Sequence, residues 1–153
     1  MESKNQMQTL AASWKTELAG LTHEPDEIVK QVLRQLDDCR KNDRFEWLIN
    51  TPHKEAASEL ELSDYRRNFR RASVIDRTFV DENGIRWIID FKSSKPPENI
   101  SLDEFLTEQT NIYSEQLSRY ASLFRAMGDN KIKTALFFTA IPCFQELPLI
   151  SAD

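Results

Sequence analysis

The run VIDRTFVDENGIRWIIDFKSSK, from Val74 to Lys95, constrains the fold of this chain more than any other stretch. Two apolar-rich segments, VIDRTFV and IRWIIDFK, flank DENG, and an Asn-Gly pair in that setting is a strong local signal for a β-hairpin. Each segment carries one acidic residue, Asp76 in the first and Asp90 in the second, with Lys92 two residues on. Side chains alternate along a strand, so Asp90 and Lys92 share one face while Trp87, Ile89 and Phe91 take the other.

The turn decides whether Asp76 joins them. A three-residue loop of Glu82, Asn83 and Gly84, with Gly84 left-handed, pairs Asp81 with Ile85 and sets Asp76 opposite Asp90. A two-residue loop of Asn83 and Gly84 sets Asp76 opposite Phe91 and turns the carboxylates to different faces. The first register is the expected one. Two facing carboxylates repel, so the arrangement makes sense chiefly when a cation lies between them. The alternative is an ordinary hairpin face carrying a salt bridge.

The rest of the chain supplies elements to flank this hairpin. Met7, Leu10, Ala11, Trp14 and Leu18 fall at helical spacing between Asn5 and Ala19. A second helix begins near Pro25, with the stripe Ile28, Val29, Val32, Leu33, Leu36 and Cys39, and fades by Asn42. FEWLI is a short helical segment before Thr51-Pro52. Strands are expected over Ala57–Leu62, Arg67–Val80 and Ile85–Lys92. SSKPPENI is a Pro-rich loop, and Ser101 with Glu104 forms a capping box that opens a long helix running to Gly128. Thr134–Ile141 reads as a last strand buried on both faces. The order is helices, three strands, helix, strand, which suits a mixed sheet flanked by helices.

On the long helix, Gln116 and Tyr120 stand four residues apart and can both face the sheet. A glutamine within an apolar stripe must find hydrogen-bond partners, either in the core or on a bound phosphate or metal-site group.

Asp76, the Asp90-x-Lys92 triplet and Gln116-x-x-x-Tyr120, in that order and spacing, resemble the PD-(D/E)xK nuclease superfamily. Within it the chain is most similar to the RecB-like nuclease domain at the C-terminus of UvrD/Rep-type DNA helicases. WLINTPHKEAASELEL, VIDRTFVDENGIRWIIDFKSS and YSEQLSRYASLF carry the likeness, which covers Trp47 to Phe124. It implies an α/β fold with a restriction-endonuclease-like αβββαβ core. It implies too a deoxyribonuclease dependent on magnesium or manganese, acting in DNA repair or recombination. The partners implied are DNA, as single strands or ends, and a helicase domain in cis or in trans.

Asp76 and Asp90 are oxygen donors of the kind magnesium takes, and the resemblance adds the Phe91 carbonyl as a third ligand. Lys92 is the expected catalytic cation, and Gln116 and Tyr120 lie beside the active site in such domains. Glu59 is a possible extra acid, since family members often carry one near the first strand. The basic cluster Arg66, Arg67, Arg70, Arg71 and Arg77 is a candidate for phosphate contacts, which would be salt-sensitive and independent of sequence.

One departure matters: RecB-like domains usually carry a metal-ligating histidine on an upstream helix. Here His23 falls in an inter-helix loop and His53 follows Thr51-Pro52. The expectation is therefore a C-terminal piece of a larger helicase-nuclease whose isolated activity is weak. The alternative on the same fold is a module that holds DNA or a protein without cutting.

Composition bounds the remaining classes. With 153 residues, 40% hydrophobic and 29% charged, one soluble domain over 1–153 is expected, and no apolar run approaches the roughly 20 residues of a membrane span. The start MESKNQMQTL lacks the apolar core of a signal peptide. Cys39 and Cys143 lack zinc-site spacing and read as free thiols of a reducing cytoplasm. A net charge of -5 argues against wholesale wrapping by nucleic acid, which leaves the local arginine cluster as the basic feature.

Overall fold

The computed structural model describes residues 25–64 and 71–150. Three helices and a five-stranded mixed sheet make up an α/β fold, in the order α1 (Pro25–Arg40), α2 (Asp43–Ile49), β1 (Lys54–Asp64), β2 (Arg71–Val80), β3 (Arg86–Lys92), α3 (Leu102–Ala126), β4 (Ile132–Phe138) and β5 (Cys143–Leu147). The strands lie in the sheet in their chain order. β1, β2 and β3 are antiparallel neighbours. β4 runs parallel to β3, because Arg86 N–H donates to the Lys131 carbonyl at one end and Thr139 N–H to the Lys92 carbonyl at the other. The helix expected over Asn5–Ala19 lies outside the described residues.

The hairpin takes the three-residue loop. Gly84 has φ +75, Asp81 N–H donates to the Ile85 carbonyl at 3.0 Å, and Gly84 N–H donates to the Asp81 carbonyl at 3.0 Å. The Asp81 carboxylate fastens the turn by accepting from the Asn83 amide at 2.9 Å, the Ile85 amide at 3.0 Å and Trp87 Nε1–H at 2.9 Å. Register follows: Val80 pairs with Arg86, Phe79 with Trp87, Thr78 with Ile88 and Arg77 with Ile89.

Two compact units divide the chain. One gathers α1 and α2 with Phe91–Lys95 and Phe137–Phe144. Its core is built by Ile28, Val32, Leu36 and Cys39 of α1, by Phe45, Leu48 and Ile49 of α2, and by Phe91 and Phe137. The Phe137 ring meets Phe45 at 5.4 Å and Phe91 at 6.1 Å between centroids. Burying each such side chain contributes about 1.5–3 kcal/mol. Asn42 caps α2, its side chain accepting from the Arg44 and Phe45 amides while Nδ2 donates to the Pro142 carbonyl at 3.1 Å. The buried stripe of α1 is narrower than its apolar pattern, since Val29 and Leu33 are exposed. Both cysteines are free, and burial, helped by Asp38, pushes the Cys39 thiol up to about 12.

The other unit holds Pro52–Asp90, Pro96–Leu136 and the chain from Gln145. Ile75, Phe79, Trp87 and Ile89 are buried on one side of the hairpin, and Thr78 and Ile88 on the other. Buried Arg86 ties this unit together: its guanidinium pairs with Glu55, donates from Nε to Asp129 at 2.9 Å, and lies 4.8 Å from the Phe124 ring centroid. Glu55, φ +48, marks a bulge where the β1–β2 register shifts between Lys54 and Ala57. The capping box at Ser101 and Glu104 is present.

β1 extends beyond the expected Ala57–Leu62 at both ends, and β4 begins at Ile132 and stops at Phe138, short of Ile141. β5 is an addition to the expected order. Its five residues alternate weakly in burial between Pro142 and Pro148, too short a pattern to separate from a loop by periodicity.

The Asp81 turn generates a pH dependence. Burial alone would raise the Asp81 pKa, but donation from the Ile85 amide, the Trp87 indole and the Asn83 amide, with nearby His53, holds it below the ordinary value. A lowered folded pKa stabilises fully above the unfolded value of about 3.9 and is lost as pH falls through the folded one. Urea midpoints measured from pH 6 down to pH 2 should therefore show Asp81→Asn less stable than the wild type at pH 6, with the gap narrowing below about pH 4.

Candidate active site

β2 and β3 place the two aspartates. The paired register of the hairpin ends at Arg77↔Ile89, and Asp76 and Asp90 are the next residues beyond it on β2 and β3. Both are half-buried, at the edge of the buried ladder. On β3 the pleat puts Arg86, Ile88, Asp90 and Lys92 on one side of the strand, and Lys92 is half-buried like Asp90. Asp76, Asp90 and Lys92 are each engaged in polar or electrostatic contacts.

α3 lies over the Asp76–Asp90 side of the hairpin, because Phe124 covers Arg86 and Arg86 shares a strand face with Asp90. As the connection between parallel strands β3 and β4, α3 runs back antiparallel to β3. Phe124, Tyr120 and Gln116 are spaced by four residues along one side of the helix. Stepping back from Phe124 to Gln116 covers about 12 Å of helix, and stepping from Arg86 to Asp90 covers about 13 Å of strand. Gln116 Nε2 donates to the hydroxyl of buried Tyr120 at 2.8 Å, which leaves the phenol proton and the amide carbonyl for a second partner.

Glu59 is exposed with φ +52; the pairs Ser58↔Arg77 and Leu60↔Ile75 bracket it across from Asp76. Among the described residues no three His, Cys, Asp or Glu side chains gather into a metal-holding group. Of the arginine cluster, Arg66, Arg67 and Arg70 lie outside the described residues, as does His23, and Arg71 is described by its backbone, paired with Asp64. Arg77 departs from the expectation of a phosphate contact. It is 1% exposed, its Nη1 donates to Ser58 Oγ at 3.2 Å, and burial pulls its pKa below the ordinary arginine value. At position 77 strand alternation turns the side chain to the same side as Ile75 and Phe79, a signal the hairpin pattern already contained. His53 stacks on Phe79 with ring centroids 3.9 Å apart. Among the described residues no helix is long and apolar enough to cross a membrane.

The residue that sequence reasoning missed is Arg86, a buried guanidinium whose pairing with exposed Glu55 and half-buried Asp129 holds the start of the strand bearing Asp90. Glu55 lies 31 positions and Asp129 43 positions away in the chain, so no local pattern announces the network. The sequence matches no family model and no curated protein.

The Gln116–Tyr120 bond is the measurable part of this geometry. A double-mutant cycle of Gln116→Ala and Tyr120→Phe, read by urea unfolding, should give a coupling energy of about 0.5–1.5 kcal/mol. A value near zero would mean that the pair does not hold together in solution.

Proposed function

We propose that this chain is a metal-dependent DNA nuclease domain with a restriction-endonuclease-like core, working with a DNA helicase in repair or recombination. The reading is supported by the hairpin register, whose last pair, Arg77↔Ile89, is followed on β2 by Asp76 and on β3 by Asp90, with Lys92 on the same strand face as Asp90. The five-stranded mixed sheet, with three antiparallel strands and then a helical return to a parallel strand, is compatible with that core.

The donor set fits a hard divalent cation. Two half-buried carboxylates on facing strand positions, with the Phe91 carbonyl next in the chain, would hold magnesium or manganese and leave room for waters and phosphate oxygens. When bound, such an ion polarises a phosphoryl oxygen and makes a bound water more acidic. Lys92 brings a positive charge that stabilises the negative charge gathering on the phosphorus-bound oxygens and favours the deprotonated form of an attacking water. Gln116 holds Tyr120 so that the phenol proton can be donated to a non-bridging phosphate oxygen, which orients the strand being cut.

Cleavage of an end-labelled single-stranded oligonucleotide with excess manganese tests the reading. Asp90→Asn and Lys92→Ala should each lower the rate by about 10²- to 10³-fold while the far-ultraviolet circular dichroism stays unchanged. Equal rates in wild type and variants, with DNA binding intact, would favour a module that holds DNA without cutting it.

A further inference from the structure

Arg44 carries a charge with no acidic partner among the described residues. Its side chain is exposed at the start of α2, and among the described residues its guanidinium forms no ion pair and no hydrogen bond. The group is nevertheless fixed in place. Its central carbon lies 5.0 Å from the Trp47 ring centroid and 4.7 Å from that of Phe144. Those two half-buried rings meet edge to face, 6.4 Å apart at 80°, and form a corner that holds the cation.

A guanidinium held against two ring faces has lost much of its freedom before any ligand arrives, yet its planar fork of N–H donors remains unspent. The nearby acids do not spend it: Asp43 is exposed and unpaired with Arg44, and the Glu46 carboxylate accepts from the Asn50 side chain. A fixed, solvent-facing fork beside aromatic surface matches one chemistry well, a phosphodiester oxygen pair with an unstacked base beside it.

Resting on the DNA reading above, we infer that Arg44, held by Trp47 and Phe144, is a phosphate contact for the backbone of single-stranded DNA. Of the arginines singled out in the sequence for phosphate contacts, Arg77 is buried.

Fluorescence anisotropy of a labelled oligothymidylate with the full chain, in metal-free buffer at several salt concentrations, tests the contact. Arg44→Ala should weaken binding on the order of tenfold and lower the slope of log K against log salt by roughly 0.7, the loss of one single-strand phosphate contact. Arg44→Lys should keep the slope but lose part of the affinity, because an ammonium lacks the fork. Arg34→Ala, which removes an exposed charge from α1, should leave both unchanged. Wild-type affinity and slope in Arg44→Ala would overturn the inference while the nuclease reading stood, as would equal losses in Arg34→Ala. A wild-type chain that neither binds nor cuts the oligonucleotide would overturn both.

Discussion

The position of the Asp81 carboxylate inside the hairpin turn is the constraint on which the rest depends. Side-chain direction in a strand has a period of two, so a slip of one residue would send Asp76 to the opposite side of the sheet from Asp90. Gly84 in the left-handed region makes the three-residue loop possible, and the amides of Asn83 and Ile85 and the Trp87 indole, all donating to Asp81, select it. A turn some distance along the strands thereby decides which face the aspartates share.

The strand that carries Asp90 is held at its start by Arg86. Strand β3 begins with a buried guanidinium that reaches the bulged start of β1 through Glu55 and the end of the α3 segment through Asp129. The guanidinium is buried while its partners reach it from the surface, and removing either acid would leave a buried charge with fewer partners, which ties the start of β3 to its neighbours. The Arg86–Phe124 contact also ties the last turns of α3 to the side chain that opens β3. The hydrogen-bonded pair Gln116–Tyr120 lies about one to two turns of helix before that contact.

Much of this could be read in the chain beforehand, for physical reasons that differ by element. The hairpin was legible because Asn-Gly, the alternation and the two isolated acids are local signals. The start of α3 was legible because a capping box is complete within four residues, from Ser101 to Glu104. Arg77 was misassigned when its sequence neighbours, a run of arginines, were given more weight than its place in the alternation, which buries it. β5 and the Arg86 network were not legible, since one is too short for a period and the other is assembled from three distant segments. Leu33 shows the opposite error, an apolar residue within a helical stripe that lies exposed.

The central claim is that Asp76 and Asp90 jointly hold a divalent cation, and paramagnetic broadening by manganese in a nitrogen-15 correlation spectrum tests it most directly. At substoichiometric manganese, the amides of Ile75, Asp76 and Arg77 and those of Ile89, Asp90 and Phe91 should broaden first, and Asp90→Asn should abolish the effect. Broadening centred instead on Asp103, Glu104 and Glu108 of α3, or broadening that persists unchanged in Asp90→Asn, would contradict the account.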